Sequence, residues 1–272
     1  MEYGLSRSFE EDICRNVSDF VILEQMVLIS IATYNEIENL PQLVEGIFHF
    51  LPDCHLLIVD DDSPDGTGDW CDQLARRNER VRCIHRSGKL GLGSATVEGL
   101  RYALNNDYEF VITMDADLSH QPSHLPDILA GMNPENGGTV DVMIGSRYVD
   151  GGGIAGWPLH RRCMSRAVNW YARTLLRLKT RDNSGAFRCY RCEALRRLDF
   201  GLIQSRGYSF FEEILYHLSR LNCRFAETPI LFVDRELGKS KINHREMITA
   251  LRILTRIGLF GVKSDRSIEP PL

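Results

Sequence analysis

The sequence contains no uninterrupted apolar run of the roughly 18–20 residues that a membrane-spanning helix needs. Its closest approaches are 21–34, broken by Glu24 and Gln25, and 251–262, broken by Arg252 and Arg256. A basic-then-apolar leader is also missing. Glu2, Glu10, Glu11 and Asp12 make the first residues acidic, so a cytoplasmic location is expected. Neither internal repeats nor low-complexity tracts occur, and 43% hydrophobic with 25% charged residues excludes a disordered or fibrous chain. Of eight cysteines only Cys189 and Cys192 form a C-x-x-C, with no second pair to complete a zinc site. Reduced thiols packed as small apolar residues are therefore expected.

What is present is a chain of 272 residues, enough for one large domain or a domain with an appendage. A chain of this length buries roughly 70–75% of its unfolded surface and needs no covalent staples. The net charge of −5 conceals a split. Residues 1–159 carry 26 acidic against 10 basic side chains, and 160–272 carry 22 basic against 11 acidic. Carboxylates for a cation on one side and a basic surface for anions on the other are the implied partners.

Apolar, buried strands are expected at Met26–Ala32, Leu56–Val59, Phe110–Met114 and Val140–Gly145, a short strand at Val81–His85, and a further candidate strand within Phe225–Val233. Apolar residues at helical spacing predict helices through Leu40–Leu51, Trp70–Asn78 and Ser94–Asn105. Alternation of near-continuous apolar strands with helices predicts a mostly parallel α/β sheet covered on both faces. Ligands then bind beyond the carboxyl ends of the strands. The polar clusters Thr33–Glu36, Asp60–Asp62, Asp115–Asp117 and Ser146-Arg147 each follow a strand directly. After Gly151-Gly152-Gly153, expected to be a flexible turn, residues 160–200 hold eleven Arg or Lys against three acids. Arg245–Phe260 has the pattern of a basic amphipathic helix.

Asp115 and Asp117 form an acidic pair at a strand end. Oxygen ligands of this kind suit Mg2+ or Mn2+, whose shells substrate phosphates usually complete. Asp60 and Asp61 add carboxylates at a neighbouring strand end, which repel one another unless a cation or hydrogen-bond donors join them. Lys89-Leu90-Gly91-Leu92-Gly93 precedes a helix; it fits either close backbone approach to a phosphate or a simple turn. His120 and His124 are separated by Pro122, which spoils a helical metal pair. Trp157, Trp170 and Tyr171 are expected to pack. Arg147, Arg161, Arg162, Arg188 and Arg235 include candidates for an anion pocket.

Five segments in this order, Thr33-Tyr34-Asn35-Glu36, Asp60-Asp61-Asp62-Ser63-Pro64-Asp65-Gly66, Lys89–Gly93, Asp115-Ala116-Asp117 and Gly145-Ser146-Arg147-Tyr148, resemble those of family 2 glycosyltransferases. Together with Asp182–Arg188, Gly207–Phe210 and Asp234-Arg235 through Lys241, they narrow the resemblance to dolichol-phosphate (polyprenol-phosphate) mannosyltransferases. The resemblance implies a GT-A, Rossmann-like fold over 26–244, preceded by an extension at 1–25. An amphipathic, membrane-associating segment would follow at 245–272. It places a sugar nucleotide, GDP-mannose in the namesake enzymes, against Thr33, Tyr34, Glu36, Asp60, Asp61, Lys89, Asp115 and Ala116. Asp115 and Asp117 would take the metal, and Arg147, Arg161, Ser165, Arg235 and Lys241 the phosphate of a polyprenyl or dolichyl acceptor. Asp117, Arg147 and Arg235 are the implied catalytic set. Departures include Asp62 where Asn or Gly is usual, and Ser119 where some members carry a Gln.

The implied chemistry is inverting transfer of a sugar to an already ionised lipid monophosphate, at the cytoplasmic face of a membrane. Integral-membrane partner subunits are compatible with this, and no nucleic-acid partner is expected. Glucose or N-acetylglucosamine as the sugar, or a non-catalytic nucleotide-sugar-binding subunit, remain alternatives at this point. An aspartyl-phosphate phosphatase would need a downstream Gly-Asp-x-x-x-Asp cluster, which residues 160–272 do not contain.

Overall fold

The structure is a computed structural model and describes residues 26–134, 138–234 and 244–261. The expected N-terminal extension, Arg235 and Lys241 lie outside the described residues.

Apolar runs become buried parallel strands. β1 (Val27–Thr33), β2 (His55–Asp60), β3 (Val81–His85) and β4 (Phe110–Asp115) alternate with α1 (Leu40–Phe50), α2 (Thr67–Arg77) and α3 (Leu92–Asn105). A short helix α4 (Leu125–Ala130) leads to β5 (Val142–Ser146) and β6 (Gly153–Ala155). Next come a long helix α5 (Leu159–Leu176), β7 (Arg188–Arg191), α6 (Cys192–Arg196) and α7 (Phe210–Arg220). The described chain continues through β8 (Phe225–Pro229), β9 (Leu231–Val233) and α8 (His244–Phe260).

Among the described residues the main sheet has seven strands in the order β3-β2-β1-β4-β7-β5-β8. All pairs are parallel except those of β7, which runs antiparallel between β4 and β5. The chain winds outward from β1 to β3, then returns to place β4 on the other side of β1. That reversal is a topological switch point, where a crevice opens beyond the strand ends. Register puts Ala32 beside Asp115 and Thr33 beside Asp60 at its rim. Apolar side chains fill both faces of the sheet. Leu28, Leu57 and Val111 pack against α3 and α7 on one, and Ile29, Ile58 and Ile112 against α1 on the other.

Three elements escape the apolar pattern. β7 contains Arg188, fully buried inside the sheet, so no hydrophobic run marks it. α5 buries only Asn169, Ala172 and Leu176, too narrow a stripe to stand out among its arginines. α7 is buried on nearly every side, Glu212 and Glu213 included, which erases the contrast that periodicity needs. The segment Phe225–Val233 is two strands, β8 in the main sheet and β9 paired with β6. Gly151–Gly153 is a tight turn rather than a flexible one. A Cβ at Gly152 would lie 2.5 Å from the Ser146 carbonyl oxygen.

α8 docks on α5. Leu254 and Ile257 are buried, the Tyr171 and Thr255 hydroxyls lie 2.7 Å apart, and a Cβ at Gly258 would strike Leu175. No helix among the described residues is long and apolar enough to cross a membrane.

Candidate active site

One side of the crevice is assembled from the loops after β1 and β2. Thr33 Oγ1 donates to Asp60 Oδ1 at 2.8 Å, and Asp60 also accepts from the Ser63 amide and hydroxyl at 2.9 and 2.6 Å. Ser63 Oγ in turn accepts from the Asn35 amide. Asp65 accepts from Thr67 and from the Ile37 amide. These bonds staple the two loops together and leave Asn35 and Asp62 in the left-handed region at φ 57°. Asn and Gly tolerate that conformation best, which explains their usual presence at position 62.

Asp61 is buried and anchors the next loop. Its Oδ1 meets Arg86 at 2.5 Å, while its Oδ2 accepts from the Leu90 and Gly91 amides at 3.1 and 3.0 Å. Those bonds present Lys89, whose ammonium lies 4.1 Å above the half-buried ring of Tyr34. Asp61 thus positions the Lys89–Gly93 loop. The glycines serve close packing: a Cβ at Gly91 would lie 2.6 Å from the Arg206 carbonyl oxygen, and one at Gly93 2.7 Å from Phe210 Cβ.

At the end of β4, Asp115 and Asp117 are half-buried and Ala116 is buried between them. Asp117 Oδ1 accepts from the Ser119 amide at 3.1 Å, and Leu118 between them is held at φ 60°. A γ-branched residue there costs about 1–2 kcal/mol, strain typical of a functional turn. His120 is buried behind the pair, its Nδ1 accepting from the Asp115 amide at 3.1 Å. Burial pushes its pKa down to about 4, despite Asp117 nearby. The ring is therefore neutral, and its 3.6 Å approach to the Asp115 carboxylate is no ion pair. His124 is likewise structural, with Nε2 accepting from the Leu231 amide.

Two carboxylates of moderate exposure could supply part of an oxygen shell for Mg2+ or Mn2+, which substrate and water would complete. The donor set fits such an ion at Asp115 and Asp117.

The basic side begins at Arg147, directly after β5. Its Nε and Nη2 make two 2.7 Å bonds to Asp182, whose carboxylate also accepts the Arg147 amide at 3.0 Å. Burial alone would lower the pKa of this guanidinium and raise that of the carboxyl. Their mutual attraction outweighs it, raising Arg147 and lowering Asp182. Arg147 is therefore fixed in place by Asp182 and Ser184, not a freely moving phosphate ligand. Arg161 stacks 4.0 Å over Trp157 and bonds Asp234 at 2.9 Å. Ser165 Oγ lies 2.7 Å from the Tyr148 hydroxyl. Arg147 also faces Tyr148, Phe232 and Trp157 at 5.3, 5.4 and 6.0 Å, so Arg147, Arg161 and Ser165 form one cluster.

An aromatic bridge joins this cluster to the acidic pair. The His120 and Phe232 rings lie 5.3 Å apart, and so do those of Phe232 and Trp157. Beside it, a groove of about 370 Å³ is lined by Arg147, Tyr148, Asn169 and Trp170 together with Arg166, Arg173 and Arg181. The last three arginines were missed in the sequence. The helical spacing of Arg166 and Arg173 on α5 was the available signal for two of them, hidden because α5 itself was not foreseen; Arg181 follows that helix. Trp170 does not pack as expected; it is 68% exposed on the groove wall. Arg188 and Arg162 bond backbone carbonyl oxygens and belong to the scaffold. Cys189 and Cys192 are buried thiols.

A switch-point sheet with an acidic pair at its rim and two loops stapled beside it is the GT-A-type fold of glycosyltransferases. The family model for glycosyl transferase family 2 matches residues 28–199, and the chain belongs to that family. It is 42% identical over 233 residues to the undecaprenyl-phosphate mannosyltransferase of Micrococcus luteus, covering 86% of this chain and 94% of that protein. To the polyprenol monophosphomannose synthase of Mycolicibacterium smegmatis it is 38% identical over 244 residues, covering 89% and 90%. Among solved structures, glucosyl-3-phosphoglycerate synthase from Mycobacterium tuberculosis, with Mn2+, UDP and glucosyl-3-phosphoglycerate, superposes with TM-score 0.60. It shares 17% identity and covers 89% of this chain and 82% of that one. S. aureus TarS 1-349 in complex with UDP-GlcNAc superposes at 0.57 with 17% identity, covering 89% and 68%.

Proposed function

We propose that this enzyme transfers mannose from GDP-mannose to a polyprenyl monophosphate, with inversion, giving a lipid-phosphate-linked sugar. The observation that carries this reading is the arginine-rich cluster set beside the acidic pair across the His120–Phe232–Trp157 bridge. The kinship with two polyprenyl-phosphate mannosyl enzymes supports the same substrates.

In this reading Thr33, Tyr34, Glu36, Asp60 and Lys89 hold the nucleotide, with Asp61 shaping the loop that presents Lys89. Asp115 and Asp117 would hold Mg2+ or Mn2+, which supplies Lewis-acid stabilisation of charge on the departing diphosphate. Lys89 adds a positive charge on the same side. Arg161 and Ser165 receive the acceptor phosphate, with Arg147 as the fixed positive wall and Arg235 and Lys241 as further proposed contacts. An acceptor phosphate is already an anion at neutral pH, so attack on the anomeric carbon requires positioning more than proton removal. The chain is consistent with that demand. His120 is buried, neutral and has its Nδ1 occupied, which disqualifies it as a general base.

A polyprenyl acceptor lies in a bilayer, and we propose peripheral membrane association to reach it. Leu159 and Trp170 on α5, and Leu259 and Phe260 on α8, are exposed apolar side chains on helices that also carry arginines.

The test is to incubate the full chain with a panel of nucleotide sugars, short-chain polyprenyl phosphate and Mg2+ or Mn2+, and to weigh the lipid products. GDP-mannose is expected to add one hexose to the lipid phosphate. Transfer confined to another sugar, or release of free sugar without lipid product, would contradict the proposal. Asp115→Asn and Asp117→Asn are expected to lose at least ~100-fold in transfer rate while retaining the wild-type circular dichroism.

A further inference from the structure

Away from the substrate cluster, the sheet edge carries a second group of potential ligands. β3 is the edge strand. Residues two apart on a strand face the same side, so Cys83 and His85 share a face, the one on which α2 packs. From α2, Asp72 reaches back to put its Oδ1 2.9 Å from His85 Nε2. Ligand atoms of Asp72, Cys83 and His85 all lie within 4.8 Å of one another. Cys71, the neighbour of Asp72, is buried, with its thiol against that of Cys83. Among the described residues this is the one such group of three or more His, Cys, Asp and Glu side chains.

We propose that Asp72, Cys83 and His85, backed by Cys71, form a binding site for a borderline-soft divalent cation, with zinc the best match. The donor set is sulfur, nitrogen and oxygen, which suits zinc and differs from the all-oxygen pair at Asp115 and Asp117. Distances permit it. Zinc bonds of about 2.0–2.3 Å at tetrahedral angles separate ligand atoms by roughly 3.3–3.8 Å. The His85–Asp72 pair would open by a few tenths of an ångström, and the sulfur would draw in by about an ångström at most. Side chains that are 47% and 43% exposed have room for that adjustment and give the ion a path from solvent. On binding, the Cys83 thiol releases its proton to water, and so does His85 where it is protonated. Asp72 contributes a carboxylate oxygen, and either Cys71, which then also releases its thiol proton to water, or a water completes the shell.

The site is tied to the donor loop. His85 pairs in register with Asp60. A Cβ at Gly68 would lie 3.1 Å from the His85 ring and 3.4 Å from the Asp60 carboxylate, so ring and carboxylate crowd the same helix start. A cation here clamps α2 to β3 beside the Asp60 hydrogen-bond network. The inference is independent of which sugar or lipid the enzyme uses.

The experiment titrates the reduced, chelator-stripped full chain with Co2+ and then Zn2+. One equivalent of cobalt is expected to give a thiolate-to-cobalt charge-transfer band that zinc abolishes by displacement. Cys83→Ser should lose the band, and Asp72→Asn and His85→Gln should weaken zinc binding at least tenfold. Each variant is checked for wild-type circular dichroism. The Asp115→Asn/Asp117→Asn double variant should keep the band. Zinc should raise the thermal midpoint of the wild type but not of Cys83→Ser. Absence of the band in the wild type, its persistence in Cys83→Ser, or its loss in the double aspartate variant would overturn the proposal.

Discussion

Arg147 is held by two 2.7 Å bonds to a fully buried Asp182, so its charge is built into the scaffold. Asp182→Ala would leave that guanidinium buried without its counter-charge, a loss of about 3–5 kcal/mol. Urea melts should show the midpoint falling with little change in slope. A second residue-scale prediction concerns pH. Burial lowers His120 to about 4 and raises Glu212 to about 7. Between roughly pH 4.5 and 6.5 the folded chain therefore lacks a proton on His120 and holds one on Glu212, while the unfolded chain does the reverse. The two opposing slopes cancel. Glu212→Gln removes the term that falls with pH and exposes the His120 term, so its stability should rise with pH across that window. The expected gradient approaches 1.4 kcal/mol per pH unit, read from denaturant midpoints. Equal gradients in wild type and variant would contradict the assignment. At this scale the sequence singled out Asp60, Asp115, Asp117 and Arg147 because each follows a strand end, and Arg161 only through the family resemblance. It did not reveal that Asp61 and Arg147 find protein partners, since Arg86 and Asp182 are distant in the chain.

Strands β1, β2, β4 and β5 were legible because parallel strands buried on both faces are apolar throughout. β7, α5 and α7 were not, for opposite reasons: buried charge interrupts the first, too little buried surface marks the second, and too much marks the third. The loop Lys89–Gly93 shows the limit of motif reading. Its glycines fit a phosphate cradle on paper, yet Gly91 sits at φ 102° with the Arg206 carbonyl oxygen where a side chain would go. Gly91→Ala should cost about 1–3 kcal/mol in the thermal melt. Displacing the Leu90 and Gly91 amides from Asp61 should also weaken nucleotide binding in calorimetry. Unaltered binding would mean the loop does not set the donor pocket.

For the molecule as a whole, the charge split in the sequence maps onto its architecture. The acidic half supplies β1 to β4 and the carboxylates at their ends, and the basic half supplies α5 with Arg161, Arg166 and Arg173, followed by Arg181. α8 was read correctly as amphipathic, but one of its faces is spent on α5, leaving Leu259 and Phe260 outward at 65% and 80% exposure. Vesicle flotation should recover the protein with anionic lipid more than with neutral lipid, and less after Trp170→Ala/Phe260→Ser. Recovery independent of both charge and variant would remove the membrane-facing role from these helices. The central claim, that one end of the sheet holds donor diphosphate through a cation on carboxylates and acceptor phosphate on guanidinium groups, is tested most directly by two-substrate kinetics of Arg161→Ala. Loss of a charged hydrogen bond of about 1.5–3 kcal/mol should raise the acceptor KM at least tenfold and leave the donor KM unchanged. An equal rise in both, or a rise in the donor KM alone, would contradict it.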